Sequence, residues 1–213
     1  KENLNTLLSE MAIETDKKLC FRADNNYIDL YRLTASCKLS KCIKDSKLQE
    51  QNKNATSKID TTYIKNINIR QLLYYLEACE AIGYPYDKKL IADIVDNYYD
   101  KENCLYFNKF ESDSIIEKLN TTSWLYIYLR DELHSIETIR NNLKNIYSDY
   151  TFLTDNKISF YSSGGALLNC LANLGCKDYV KKDDLDYWFE YWGKYYDSME
   201  IYDIIKVLDY SSY

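Results

Sequence analysis

Glycine and proline are scarce in this sequence, with 5 and 1 among its 213 residues. A chain built from strands needs many tight turns, which these two residues form most easily, so their scarcity disfavours an all-β fold. Long apolar runs are also missing, because no window approaches the roughly 18 uninterrupted apolar residues of a membrane-spanning helix. The composition, with 46% apolar and 28% charged residues, is close to the average for folded domains. We therefore expect a soluble, globular protein with a buried core.

The sequence lacks the ligand pattern of a zinc site. It contains one histidine, His134, and none of its 7 cysteines belongs to a CxxC pair. Structural zinc sites need four cysteine or histidine ligands, usually in closely spaced pairs. We predict no metal and no cofactor, and we interpret His134 as an exposed residue at the end of a helix.

The cysteines allow two interpretations. Cys42, Cys79 and Cys170 fall on apolar faces of predicted helices, where a thiol behaves as a small hydrophobic group. The pairs Cys37/Cys42 and Cys170/Cys176 could instead form disulfide bonds in an oxidising compartment. The spacing of these residues along the chain leaves both states open.

Positive charge is not concentrated anywhere in the chain, whose net charge is −6. Its lysine pairs stand beside acidic residues, whereas nucleic-acid binding needs lysine and arginine gathered on one face. We therefore do not expect nucleic acid as the main partner. The chain begins with Lys1 rather than methionine, so we expect an N-terminal segment to have been removed or to lie outside it. Both a cytoplasmic location and secretion after loss of that segment stay open.

The C-terminal two thirds contain a weak internal repeat, in which an apolar-faced helix pair ends in an aromatic and acidic turn. The three copies run over residues 72–100, 124–149 and 167–197. Tyr99, Tyr147 and Tyr196 mark the three turns and are about 48 residues apart. A fixed spacing of this size is typical of stacked or circularly arranged helical hairpins.

Apolar residues at three- and four-residue spacings predict the individual helices. Before the repeats, a first helix has Leu4, Leu7, Leu8 and Met11, and a second has Ile28, Tyr31, Ala35, Leu39 and Cys42. The first repeat has Leu72, Leu73, Leu76 and Cys79 on one helix and Leu90, Ile91, Ile94, Val95 and Tyr98 on the next. The second repeat has Trp124, Leu125, Tyr128 and Leu129 followed by Ile136, Ile139, Leu143 and Ile146, and the third has Leu167, Leu168, Leu171 and Leu174. Gly83, with Pro85 close behind it, predicts a helix end. Thr121 or Thr122 can cap the helix of Trp124. The polar segment near residues 44–60 predicts an exposed loop.

These hairpins and the aromatic segments between them resemble the α/α toroid of terpenoid cyclases and protein prenyltransferase β-subunits. The matching pieces are the three leucine- or isoleucine-rich hairpins, the loops holding Leu105-Tyr106-Phe107 and Phe152-Leu153, and the helix starts at Thr121-Thr122 and Ser162-Ser163. The resemblance covers residues 69–198. It implies an all-α fold in which antiparallel helical hairpins form a partial or closed toroid, within a single domain over residues 1–213. A fragment of a larger toroid also fits, because a closed ring of six hairpins needs more hairpins than this chain holds.

The resemblance does not extend to catalytic residues. Prenyltransferases of this fold bind zinc with an aspartate, a cysteine and a histidine, and no such set accompanies His134. Class II cyclases protonate their substrate with an Asp-x-Asp-Asp motif, whereas the acids of Asp183-Asp184-Leu185-Asp186 stand in a different order. We interpret these acids as first-turn residues of a helix, where the unpaired N–H groups favour negative charge. We predict no catalytic residues.

Aromatic residues form the candidate ligand-binding site, in a chain that contains 23 tyrosines. The residues are Trp188, Tyr191, Trp192 and Tyr195 on one predicted helix, and Trp124 and Tyr128 on another. Residues at these spacings share one face of a helix. Such a face is either part of the core or a wall against which a sugar ring or an isoprenoid chain stacks.

Two functions therefore remain. The first is a non-catalytic binding domain of the α/α-toroid type, whose partner is a hydrophobic or glycan small molecule, or a peptide or protein. The alternative is a toroid enzyme, either isoprenoid cyclase- or prenyltransferase-like or acting on a polysaccharide, with acidic catalytic residues that the sequence does not identify. A cavity lined by aromatic residues and by an acid of raised pKa would favour the enzyme.

Overall fold

A computed structural model describes residues 29–107, 114–134, 136–149, 165–184, 186 and 190. This part of the chain is mostly helical and contains one two-stranded sheet, so the all-α prediction is confirmed at this level. The α-helices are α1 (Leu30–Ile43), α2 (Ser46–Thr56), α3 (Thr61–Asn66), α4 (Ile69–Ile82), α5 (Lys88–Val95), α6 (Ile115–Leu129), α7 (Ile136–Asp149) and α8 (Gly165–Asn173). The short 3₁₀ turns are Asp96–Tyr98, Arg130–Glu132 and Lys177–Tyr179, and the strands are β1 (Tyr99–Asp100) and β2 (Leu105–Tyr106).

The chain forms two compact units, the first ending at Ile94 and the second beginning at Val95. The boundary falls within α5. Each unit is described by itself below.

In the first unit, α4 packs most extensively against α1 rather than against the helix that follows it. The Thr34 hydroxyl donates a hydrogen bond to the Tyr74 carbonyl oxygen over 2.7 Å, Lys38 forms an ion pair with Glu77, and the Tyr31 ring meets the Tyr74 ring edge-on at 5.4 Å. The predicted consecutive pairing of α4 with α5 is therefore not the main helix contact here. The reason is that α4 buries residues around much of its circumference, so it packs against α1 and also against α2.

The prediction of an exposed loop near residues 44–60 is wrong, because residues Ser46–Thr56 form α2. The Asp45 carboxylate caps this helix by accepting a hydrogen bond from the Leu48 N–H over 3.0 Å. Leu48, Asn52 and Thr56 are buried and recur every four residues. Asn52 faces the interior since Ser36 and Ser40 of α1 are its hydrogen-bond partners, and the Thr56 hydroxyl donates to the Asn52 carbonyl oxygen within α2. Composition alone does not indicate these contacts.

The second predicted helix exists as α1, but its predicted apolar stripe is wrong. Tyr31, Ala35 and Cys42 are exposed. The buried residues are Leu30, Leu33, Thr34, Ser36, Cys37 and Ser40. Three of these, Thr34, Ser36 and Ser40, are small polar residues whose hydroxyls are hydrogen-bonded. Burying them in a close contact between helices therefore costs little free energy.

The ends of α4 follow the rules of helix capping. Asn68 and Gln71 form a capping box, in which each side chain accepts a hydrogen bond from the other residue's N–H. Gly83 ends the helix in the left-handed region, with a φ of 65°, where glycine is favoured. The helix end predicted at Gly83 is confirmed.

In the second unit, the turn predicted at Tyr98-Tyr99-Asp100 becomes a small antiparallel sheet in which Tyr99 pairs with Tyr106. Ser114, and not Thr121 or Thr122, caps α6, since the Ser114 hydroxyl accepts a hydrogen bond from the Glu117 N–H. The helix thus begins about two turns earlier than predicted. Both threonines are buried inside it.

The helices α7 and α8 occur where the apolar spacing predicts them, and Gly175 follows α8 with a φ of 71°. The repeated turn is wrong for the second copy, because Tyr147 lies within α7, whereas Tyr99 lies in a strand. The most extensive helix contact of this unit is between α6 and α8. Consecutive pairing of α6 with α7 is therefore not the main contact of α6.

Some predicted features lie outside the described residues. They are the helix of Leu4, Leu7, Leu8 and Met11, the segments at Phe152-Leu153 and Ser162-Ser163, and the aromatic positions Trp188, Tyr191, Trp192 and Tyr195, together with the third turn at Tyr196.

Candidate functional site

The candidate site is the outer face of α6, which we define as Glu117, Trp124, Ile127, Tyr128 and Asp131. Trp124 is 40% exposed and Ile127 is 47% exposed, although both side chains are large and apolar. Tyr128 is half-buried beside them. The structure therefore places Trp124 and Tyr128, both predicted as ligand-binding residues, next to each other on one helix face, with Ile127 as a neighbour that the sequence analysis missed.

The opposite face of α6 is held in the core. Leu119, Leu125 and Leu129 are buried there. The Thr122 hydroxyl accepts a hydrogen bond from the Tyr106 N–H over 2.8 Å, which joins the helix to β2. Ser123 is hydrogen-bonded to Asn173 of α8. Because these contacts fix the rotation of the helix, its outer face is set by them rather than by its own apolar residues.

Acidic residues flank the apolar centre of this face. Glu117 lies in the first turn of α6, two turns before Trp124. Asp131 and Glu132 are exposed in the 3₁₀ turn that follows the helix. Both acids lie in the same 3₁₀ turn as the exposed Arg130.

His134, the one histidine, is the centre of a second polar cluster. Its Nε2 lies 3.0 Å from Asp96 Oδ1, and its ring stacks on Tyr99 at 4.5 Å. The His134 N–H donates a hydrogen bond to the Tyr106 hydroxyl over 3.1 Å. The predicted exposure of His134 is confirmed, since its side chain is 46% exposed, but the residue lies between the 3₁₀ turn and α7 rather than at the end of a helix. Its partners are 28 or more positions away in sequence, so no local signal indicates them.

These contacts hold His134 against Asp96, Tyr99 and Tyr106, and they do not activate a reactive group. Burial raises the pKa of the Tyr106 hydroxyl to about 12 and raises that of Tyr99 further. Both phenols therefore stay protonated at neutral pH. They act as ring surfaces and hydrogen-bond partners for His134.

Asp100 and Lys118 form a buried ion pair beneath the strands, with 2.8 Å between Lys118 Nζ and Asp100 Oδ2. Burial by itself raises the pKa of Asp100, but hydrogen bonds from Lys118, from Asn103 and from the Glu102 N–H outweigh it and lower the pKa to about 2. The Lys118 ammonium also lies 4.9 Å from the centre of the Phe107 ring. The carboxylate is thus held ionised, which suits a structural ion pair and not a proton donor.

Asp184, one of the acids of the Asp183-Asp184-Leu185-Asp186 string, accepts a hydrogen bond from the Tyr147 hydroxyl. That hydroxyl accepts one from the Lys181 N–H over 2.9 Å. Burial raises the Tyr147 pKa to about 12. These contacts attach the segment at 181–184 to α7, which is a structural role.

The six described cysteines form no disulfide bond, so neither Cys37 and Cys42 nor Cys170 and Cys176 are joined. Cys79 and Cys170 are buried, as predicted, whereas Cys42 is exposed. Burial raises the pKa of the Cys79 thiol to about 12. The buried thiols therefore act as small apolar groups.

No protein family, curated protein or solved structure matches this chain. Within the described residues, no group of three histidine, cysteine or acidic side chains lies close enough together to bind a metal ion. The helices found in that part of the chain are also too short or too polar to cross a membrane.

Proposed function

We propose that the protein is a non-catalytic, protein-binding domain built from helical hairpins, of the α/α-toroid type. The observation that carries this proposal is the exposure of Trp124 and Ile127 beside each other on α6. Tryptophan is among the residues that contribute most to binding at protein interfaces. Exposing it on a rigid helix costs little conformational freedom when a partner binds.

The enzymatic alternative needs an acid that stays protonated near neutral pH. The pKa of Asp100, a carboxylate among the described residues of the second unit, is lowered to about 2, which is the opposite direction. A small-molecule ligand stacked on Trp124 and Tyr128 is a different kind of partner for the same face. The experiment below separates it from a protein.

Site-specific photo-cross-linking tests the proposal. The photoreactive residue p-benzoylphenylalanine is placed at Ile127, and in a matched variant at Asn141, which is exposed on α7. We expect the variant at Ile127 to form a discrete cross-linked protein in extracts of the source cells, and the variant at Asn141 not to form it. Adding Trp124→Ser to the first variant should remove the product, while circular dichroism confirms that the helices are retained.

Native mass spectrometry of the purified protein completes the test. A retained glycan or lipid that is absent from the Trp124→Ser variant would show that the partner is a small molecule and not a protein. Cross-linking that is equal at Ile127 and Asn141 would show that the outer face of α6 is not a binding surface and would overturn the proposal.

A further inference from the structure

We infer that the outer face of α6 binds an amphipathic helix of a partner protein that carries lysine or arginine at both ends of its apolar stripe. This inference rests on the proposed function and names the chemistry of the partner. It is carried by the pattern of the face, in which an exposed apolar centre lies between acidic ends.

The apolar centre has the geometry of one side of a helix pair. Trp124 and Ile127 are three residues apart and Tyr128 is four residues from Trp124, so the three side chains form adjacent ridges on one face. A partner helix packs its own side chains into the grooves between such ridges. Two or three apolar side chains at three- and four-residue spacings on the partner are enough to fill them.

The charges determine which helix fits. Glu117 lies near the start of α6 and Asp131 lies just after its end at Leu129, so the helix between them is roughly 18 Å long. A partner helix of about the same length therefore meets an acid at each end of the contact. Lysine or arginine at its ends would pair with them, whereas aspartate or glutamate there would be repelled.

The acids after α6 are accessible to a partner. Asp131 and Glu132 are both exposed in the 3₁₀ turn that follows the helix. A cation at the end of a partner helix would pair with them there.

The same charges disfavour the other occupants. Nucleic acid and anionic lipid carry negative charge and are repelled by Glu117, Asp131 and Glu132. A second copy of the chain is also disfavoured, because an antiparallel α6 pair places Glu117 against Asp131 of the other copy, and a parallel pair places each acid against itself. Either arrangement brings like charges together.

Two synthetic helical peptides test the inference. They share one apolar stripe of leucine and phenylalanine, and one carries lysine and arginine at its flanking positions where the other carries glutamate. Fluorescence anisotropy measures the binding of each labelled peptide to the full chain. We expect the basic peptide to bind about tenfold or more tightly than the acidic one, and the difference to shrink at high salt.

Matched variants locate the contact. Asp131→Asn with Glu132→Gln should reduce the preference for the basic peptide to about threefold or less. Asp93→Asn with Glu50→Gln removes the same charges from exposed positions on α5 and α2 and should leave the preference unchanged. Trp124→Ser should weaken binding of the basic peptide by about tenfold or more.

The outcomes separate the inference from the proposed function. Equal binding of the two peptides would overturn the charge argument. If neither peptide binds but Ile127 still cross-links to a protein, the partner is not a basic helix, although the domain binds a protein. If both experiments fail, both proposals fall. A dimer that dissociates in Trp124→Ser would identify a second copy as the occupant and would also overturn the inference.

Discussion

Asp100 illustrates how one buried charge depends on its partners. It accepts hydrogen bonds from Lys118 and Asn103 within the second unit, and its pKa is lowered to about 2 from an ordinary value of 3.8. A carboxyl group whose folded-state pKa is lowered stabilises the protein above its unfolded pKa, and this stabilisation is lost as the pH falls toward the folded value.

We expect this contribution, at most about 2 kcal/mol at pH 7, to disappear between about pH 5 and pH 2. Asp100→Asn should therefore flatten the dependence of the unfolding free energy on pH in that window, as measured by urea denaturation. Lys118→Met alone should destabilise the protein by about 3 kcal/mol or more, because it leaves a buried carboxylate without its cation. The double variant should be more stable than Lys118→Met; if it is not, the two residues do not act as a pair.

The cysteines differ in accessibility, and this difference is measurable. Cys42 is exposed, whereas Cys37, Cys79, Cys170 and Cys176 are buried. Burial also raises the pKa of the Cys79, Cys170 and Cys176 thiols, so little thiolate is present in them at pH 8.

We predict that iodoacetamide alkylates Cys42 about tenfold or more faster than Cys79 in the native protein. Peptide mapping by mass spectrometry distinguishes the two sites, and denatured protein gives the rates without protection. Comparable native rates would mean that α4 opens often enough to make Cys79 as accessible to the reagent as Cys42 on the surface of α1.

Thr122 forms hydrogen bonds between α6 and β2, within a broader packing contact of the two elements. Thr122 both accepts a hydrogen bond from the Tyr106 N–H and donates one to the Tyr106 carbonyl oxygen. Thr121 is buried on the same helix but is not part of this bond.

Thr122→Val should destabilise the protein by about 1 to 3 kcal/mol, because it leaves the buried Tyr106 N–H without a partner. Thr121→Val makes the same change in shape one residue away and should cost less. Thermal denaturation of the two variants provides the comparison, and equal losses would indicate that the cost comes from packing instead of the hydrogen bond.

A buried polar network joins α1 to α2. The Ser36 hydroxyl donates to Asn52 Oδ1 over 2.9 Å, and the Asn52 amide lies 3.4 Å from the Ser40 hydroxyl. All three side chains are buried. Such a network stabilises one alignment of two helices only while every member is satisfied.

Asn52→Ala should therefore cost about 2 kcal/mol in the free energy of unfolding, since it leaves the buried Ser36 hydroxyl without the Asn52 acceptor, whereas the Ser40 hydroxyl still donates to the Cys37 carbonyl oxygen. Asn54→Ala, on the exposed side of the same helix, should be neutral or slightly stabilising because alanine favours helices. Chemical denaturation measures both changes. A similar effect of the two substitutions would mean that the network contributes nothing beyond helix propensity.

The single domain over residues 1–213 stays a prediction, and the toroid arrangement is part of the proposal above. The two compact units give this prediction a test, because Asn52 belongs to the first unit and α6 to the second. In one cooperative domain, Asn52→Ala lowers the stability of every core helix.

Native-state hydrogen exchange would measure this loss of stability in each helix. We expect Asn52→Ala to increase the exchange of the slowest amides in α6 by the same factor as in α4, with Asn54→Ala as the unchanged reference. An increase confined to α1 and α4 would contradict the single-domain prediction.

The sequence by itself determined the features that depend on near neighbours. The helices α4, α6, α7 and α8 follow from apolar spacing. Gly83 ends α4 because a glycine adopts a positive φ angle easily, and this preference depends only on atoms close to it in the chain. These interactions span four residues or fewer, so a local pattern predicts them.

Only the tertiary structure decided the features that depend on distant partners. Asn52 is buried because Ser36 reaches it from another helix, and His134 meets Asp96 although 38 positions separate them in sequence. Trp124 was predicted on an apolar stripe, yet it is exposed because Thr122 is bound to Tyr106 and turns the other side of α6 inward. Such contacts form between residues that meet only after folding. A short stretch of sequence does not contain both partners, so its pattern does not predict the contact.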